Sequence, residues 1–266
     1  MGILNVTPDS FSDGGRLSSP AAAVEAALAM IEAGADIIDV GGESTRPGAR
    51  PVPAGEERDR VVPVIAALAK ETSVPISIDT YKPAVARAAL EVGAVIVNDI
   101  SGLRYEPELA AVAAGAGAAM VLMHTRGRSA EMYRQAEYHD VVAEVLDELR
   151  ESVAFATAAG VDRRQIVIDP GIGFAKQVAH SYEALARLHE FADLGFPILA
   201  GPSRKSFLVR PLGHDRAPAE RDWATAAAVT TAVLEGAHIV RVHAVAAMRD
   251  VVRISDEIRR YHHELA

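Results

Sequence analysis

The 266 residues contain no cysteine. Disulfides, zinc–thiolate sites and thiol nucleophiles are therefore excluded, and a reducing, cytoplasmic setting is expected. Positive charge is in short supply: 27 Lys and Arg face 36 Asp and Glu, a formal net charge of −9. With no long basic run to offset that excess, neither nucleic acid nor an anionic membrane surface is an expected partner. Long apolar runs are also missing, and none approaches the roughly 20 residues of a membrane helix. No leader pattern follows Met1, where strand-like residues give way to polar ones within a few positions. Linkers and low-complexity segments are lacking as well.

What is present is a recurring phrase. An Ala-rich, helix-like segment ends at Gly, a short β-branched run follows, and the run stops at a polar residue. It is read at 32–44, 91–99, 115–124, 159–171, 194–203 and 235–243, with Gly34, Gly93, Gly117, Gly160, Gly195 and Gly236 as the helix-ending glycines. Glycine suits that place because a left-handed residue closes many helices and lacks a Cβ clash there. Two further strands, 3–6 and 74–79, lack the lead-in. Helical stretches are expected at 20–33, 55–72, 82–92, 107–115, 138–159, 178–194, 222–235 and 245–264.

Strand and helix in alternation imply a parallel sheet with crossover helices. The strands show little polar alternation, as expected of strands covered on both faces. Eight such units favour a closed (β/α)8 TIM barrel, an α/β fold that uses about 250 residues as one domain; a single domain over 1–266 is the expectation. No G-x-G-x-x-G follows the first strand, so a dinucleotide-binding sheet lacks support. The longest irregular stretches, 7–19 and 41–54, read as βα loops on one face.

Chemistry in such barrels gathers at the C-terminal strand ends. In order these carry Asn5; Asp39 with Glu43, Thr45 and Arg46; Asp79; Asn98; His124; Asp169; Ser203 with Lys205; and Arg241 with His243. Polarity resumes at the end of any strand, so one such residue says little; eight together say more. Arg46, Lys205, Arg241 and His243 are donors suited to phosphate or pyrophosphate. Arg241 and His243, two apart, share one face of their strand. Asp79, Asn98 and Asp169 suit a ligand edge rich in N–H groups, such as an aminopyrimidinone, although the acids could simply pair with the cations.

Other signals are weaker. GPSRKS (201–206) fails the phosphate-loop pattern because Arg204 precedes the lysine where Gly is needed. His124, taken alone, reads as structural. Asp9 and Asp13 read as turn residues, Met30, Met120 and Met132 as core or helix-face residues, and the 261–264 YHHE run as a solvated helix end.

The segments GILNVTPDSFSDGG (2–15) and GADIIDVGGESTRPGA (34–49) resemble the two signature segments of the dihydropteroate synthase family. The likeness continues in order through SIDT (77–80), VND (97–99), LMH (122–124), DPGIGF (169–174), SRKSFL (203–208) and GAHIVRVH (236–243). The resemblance implies a TIM barrel that condenses 6-hydroxymethyl-7,8-dihydropterin diphosphate with 4-aminobenzoate, uses Mg²⁺, works as a homodimer and is a sulfonamide target. Asn5 resembles the Mg²⁺ ligand. Asp79, Asn98, Asp169 and Lys205 resemble the residues that hydrogen-bond the pterin, with Met123 and Phe174 as its apolar walls. Arg241 resembles the residue over the pterin face, and with His243 it resembles the diphosphate contact. Thr45 and Arg46 belong to the second loop, Phe11 and Asp13 to the first; with Ser206 these shape the aminobenzoate site. Asp79, Asp169, Lys205, Arg241 and His243 are the catalytic candidates.

The family pattern is broken in two places: Met1 falls inside the first motif, and Ala244 follows His243 where the family has aspartate. A pterin-binding paralogue without catalysis and a pterin-dependent methyltransferase barrel are the competing readings; SRKS, RVH and the STRPGA loop speak against the second.

Overall fold

The computed structural model describes residues 1–7, 19–45, 48–128, 133–214 and 216–264, and side chains as far as 261. Eight parallel strands alternate with eight α-helices among the described residues. The strands are β1 (Gly2–Asn5), β2 (Ile38–Gly41), β3 (Ile76–Asp79), β4 (Ile96–Asp99), β5 (Ala119–Met123), β6 (Ile166–Asp169), β7 (Leu199–Ala200) and β8 (Ile239–Val240). The helices that follow them are α1 (Pro20–Glu32), α2 (Ala54–Glu71), α3 (Pro83–Glu91), α4 (Leu109–Ala116), α5 (Val141–Ala158), α6 (Val178–Ala186), α7 (Asp222–Leu234) and α8 (Val245–Glu264).

β1 to β6 pair in sequence order, and β7 pairs with β8. Two single bridges join these sheets: Ile168 to Ile198, and Gly2 to Val242. Reciprocal bonds hold the second, Ile3 N–H to the Val242 carbonyl at 3.0 Å and Val242 N–H to the Met1 carbonyl at 2.9 Å. The strands thus close into the expected (β/α)8 barrel.

The helix-ending glycines explain how each helix turns back. All six named above have φ between 64 and 120°. Helix starts are marked too: Ser19 caps α1 through Ala22 N–H, and Asp140 caps α5 through Val142 and Ala143 N–H.

Period two along each strand divides the side chains. Leu4, Ile38, Val40, Ile76, Ile78, Val97, Leu122 and Ile168 pack outward in the main core under the helices. Met1, Val121 and Leu199, with Ile37, Ile96, Val167 and Ile239, form a separate apolar cluster of the opposite parity, inside the barrel. The next inward residues up the strands are Asp39 after Ile37, Asn98 after Ile96, Met123 after Val121, Asp169 after Val167 and Arg241 after Ile239. The interior therefore changes from an apolar floor to a polar top within one pleat. No helix among the described residues is long and apolar enough to cross a membrane.

Candidate active site

Strand register brings the inward polar residues side by side. Asn5 pairs with Gly41, Gly41 with Asp79, and Asp79 with Asn98. Asp39 Oδ2 accepts from Asn98 Nδ2 at 2.9 Å and from Arg241 Nε at 2.6 Å. A second guanidinium N–H of Arg241 donates to Asp79 Oδ2 at 2.6 Å. Arg241 thus bridges two carboxylates across the barrel mouth. A carboxylate only accepts, so Asn98 must turn its amide nitrogen to Asp39 and its carbonyl oxygen away from it. Asp79, Asp169 and the Asn98 oxygen then form a set of acceptors.

Burial sets the charges. It pushes the Asp79 carboxyl up to about 7, against the pull of Arg241. Asp169 is likewise raised by burial, opposed by Lys205, while its Oδ1 accepts from Gly171 N–H at 2.8 Å. Lys205 is half-buried in the loop after β7, and desolvation lowers its ammonium to about 7 against the attraction of Asp169. It donates to the Ile172 carbonyl and lies 4.1 Å from the centroid of the Phe174 ring. Burial disfavours the Arg241 cation too, but Asp39 and Asp79 outweigh it and hold the guanidinium charged.

Ser203 and His243 form the next layer. Ser203 Oγ accepts from His243 N–H at 3.1 Å and lies 2.9 Å from Nδ1, placed to donate its own proton there. In the neutral ring this leaves Nε2 as the N–H. Met123 and Phe174 pack with Tyr81, Ile100 and Tyr105 in a small apolar wall. Thr45 is half-buried where the second loop leaves β2, and Ser206 is exposed at the start of a 3-10 turn (Ser206–Leu212). Arg46, Phe11, Asp13, Asp9 and Met132 lie outside the described residues.

Strand parity separates the polar residues that face the barrel interior from those that face the helices. Asp99 and His124, at two strand ends, have the outward parity. Asp99 accepts from Ser101 N–H, Ser101 Oγ–H and Leu103 N–H, which fixes its own turn. His124 Nε2 meets Glu148 of α5 at 3.0 Å. Arg204, where a phosphate loop would have Gly, has φ 58° and is pinned by Asp222. Asp39, noted at its strand end but assigned no role, proves to be the shared partner of Asn98 and Arg241; its inward parity with Asp79 was the available signal.

No group of three or more His, Asp or Glu among the described residues is arranged to hold a metal. Asn5 is half-buried at the end of β1. Its amide oxygen is a hard donor of the kind Mg²⁺ takes singly when phosphate supplies most of the coordination.

Comparison with known proteins decides the lineage. A family model described as pterin-binding enzyme matches residues 1–243. Dihydropteroate synthase of Synechocystis is 48% identical over 260 residues, covering 98% of this chain and 90% of the relative. The chain belongs to the dihydropteroate synthase family. The dihydropteroate synthase of Mycobacterium leprae is 51% identical over 259 residues, with 96% and 91% covered. Among solved dihydropteroate synthases, that of Xanthomonas albilineans in complex with 7,8-dihydropteroate has a TM-score of 0.87 at 42% identity, covering 97% of this chain and 92% of that one. The Yersinia pestis dihydropteroate synthase with a sulfonamide drug complex has a TM-score of 0.92 at 41% identity, with 98% and 94% covered.

Proposed function

We propose that this chain, acting as one barrel domain over 1–266, condenses 6-hydroxymethyl-7,8-dihydropterin diphosphate with 4-aminobenzoate to give 7,8-dihydropteroate and pyrophosphate. The observation that carries the reading is the acceptor set of Asp79, Asn98 and Asp169 beside Arg241, His243 and Lys205 on one inner face. An N–H-rich pterin edge meets the acceptors, and an anionic leaving group meets the cations. Ligands named with the solved relatives support both substrates: pteroic acid, 4-aminobenzoic acid and 7,8-dihydropteroate.

In this reading pterin binding replaces the Arg241–Asp79 ion pair, freeing Asp79 for the ring and Arg241 for the pterin face and diphosphate. The methylene C–O bond breaks, its electron pair leaving with pyrophosphate, and Arg241 and His243 stabilise the charge that develops there. The methylene carbon becomes cationic, and the Asp79 and Asp169 carboxylates stabilise electron demand in the attached ring. The amine of 4-aminobenzoate forms the new C–N bond and then loses a proton. Attack on a cation needs no strong base, which agrees with the lack of a serine–histidine–aspartate arrangement among the described residues. Thr45, Arg46 and Ser206 are assigned to the aminobenzoate side, with Phe11 and Asp13 of the first loop; Met123 and Phe174 flank the pterin. Asn5 would give Mg²⁺ one oxygen, and the bound ion would neutralise diphosphate charge.

A homodimer in the cytoplasm completes the proposal. Ile254, Ile258 and Tyr261 are exposed at helical spacing on α8, and Trp223 and Leu234 are exposed on the adjacent α7. We place the contact with a second copy on these exposed apolar side chains of the two neighbouring helices.

The test is direct. Purified protein with both substrates and Mg²⁺ is expected to release pyrophosphate and dihydropteroate. Asp169→Asn is expected to weaken pterin binding about 100-fold with the thermal unfolding profile nearly intact. Pterin bound without turnover by the wild type would instead favour the non-catalytic reading.

A further inference from the structure

Lys176 is buried to 2% exposure, and no carboxylate among the described residues lies within ion-pair distance of its ammonium. Lysines are rarely buried without a partner, because desolvation of the ammonium is unfavourable. Its Nζ instead donates to the Phe174 carbonyl at 3.3 Å and to His124 Nδ1 at 3.0 Å. Glu148 is an ionised carboxylate and only accepts, so His124 Nε2 carries the proton donated to it and Nδ1 is left to accept from Lys176. Glu148 is paired in turn with Arg104 and Arg126. The chain Lys176–His124–Glu148 therefore runs from beneath the 170–175 turn to α5.

That turn needs holding. Gly171, Gly173 and Ala175 have φ of 68, 81 and 46°, three left-handed residues in five. For Ala175 this conformation is strained and persists only if its surroundings impose it. The Tyr138 hydroxyl donates to the Ala175 carbonyl at 2.9 Å, next to the lysine's grip on Phe174. From the pocket side Lys205 holds the Ile172 carbonyl and the Phe174 ring. The turn is thus clamped between two lysines, one facing the pocket and one buried under it.

We propose that Lys176 is a positioning residue for the pterin pocket: it ties Phe174 to His124 and Glu148 from below, so that the Phe174 wall and the Asp169 carboxylate stay in place for the ligand. The inference rests on the reading of this pocket as the pterin site. The groups facing the ammonium are Asp169 at the end of β6, Lys205 of the following strand's loop, Arg126 and Tyr138 of the β5–α5 connection, and Glu148 of α5.

Lys176→Met keeps the stem and deletes the donors. With pterin diphosphate as the probe in calorimetric titration, its dissociation constant is expected to rise at least tenfold. The KM for 4-aminobenzoate at saturating pterin should stay within twofold, and the thermal midpoint at pH 7 should be no lower than that of the wild type. A purely structural lysine would lower stability and both substrates' parameters together, and that result overturns the proposal, as does unchanged pterin affinity. If Lys176→Met does not fold, Tyr138→Phe carries the test. It loosens the same turn at Ala175 and is expected to weaken pterin binding about threefold in a folded protein; unchanged affinity there overturns the proposal. Failure of the wild type to bind pterin diphosphate would be seen first, and would refute the pterin reading itself.

Discussion

Asp39 shares one oxygen between two donors, while its other oxygen is buried without a hydrogen-bond partner among the described protein groups. Its value lies in what it fixes. Without it the Asn98 amide loses the bond that sets which end faces the ligand, and Arg241 keeps only Asp79. Asp39→Ala is therefore expected to lower stability by about 2 kcal/mol, the scale of one buried donor left unsatisfied. A larger loss, typical of breaking a buried ion pair, is not expected because Arg241 is one-fifth exposed and retains a carboxylate. Urea unfolding checks the figure, and an unchanged midpoint would mean that Asn98 finds another acceptor. The same variant removes a negative neighbour from Asp79, so the Asp79 carboxyl should titrate below its value of about 7, readable by carbon NMR.

At the scale of elements, the turn after β6 is the least tolerant part of the site. An added Cβ at Gly171 would stand 1.9 Å from the His124 carbonyl oxygen, a backbone atom that cannot swing aside. Its φ of 68° adds strain for any other residue. Gly171→Ala should therefore cost at least about 2 kcal/mol and abolish pterin binding, because Asp169 Oδ1 is held by that residue's N–H. Calorimetric unfolding with a pterin titration tests both; a fully stable variant that binds normally would refute this account. Nothing in the sequence showed that this particular glycine is so crowded, since crowding depends on β5 lying beside β6. The helix-ending glycines were legible because local conformation decides them, and so was α2, which runs through Pro63 as one helix. The expected helix 178–194 is instead α6 followed by a 3-10 helix (Leu188–Leu194) that buries Leu188 and Phe191. Packing decides that change of geometry, and apolar spacing does not reveal it. The strand ends were all legible; which of them point inward follows only from counting by two from the barrel floor. That count admits Asp39, Asn98 and Asp169 and sends Asp99 and His124 to the helices.

The whole molecule concentrates buried charge at one end of the barrel, so its stability depends on pH with a sign that can be worked out. Burial lowers Lys176 to about 7 from the ordinary value of 10.5. Below pH 7 both the folded and the unfolded chain hold that proton, and the full penalty of a buried ammonium is present. Between pH 7 and 10.5 the unfolded chain binds the proton and the folded one does not, so this lysine's contribution to stability improves with pH, by up to about 1.4 kcal/mol per unit. Asp79 and Asp99 work in the opposite sense at lower pH. Burial raises them to about 7 and about 6, so the folded chain holds their protons longer and stability falls as pH climbs from about 4 towards 7. Lys205 shares the behaviour of Lys176, which makes the wild-type profile alone a poor reporter of either. The difference between wild type and Lys176→Met isolates one of them, because Lys205 and both aspartates are common to the two proteins. In urea unfolding followed by circular dichroism, the wild type is expected to gain on the variant between pH 7 and 9.5, by an amount on the order of 2 kcal/mol. Parallel profiles would show that Lys176 keeps its proton throughout, and that its neighbours, Asp169 foremost, compensate its burial.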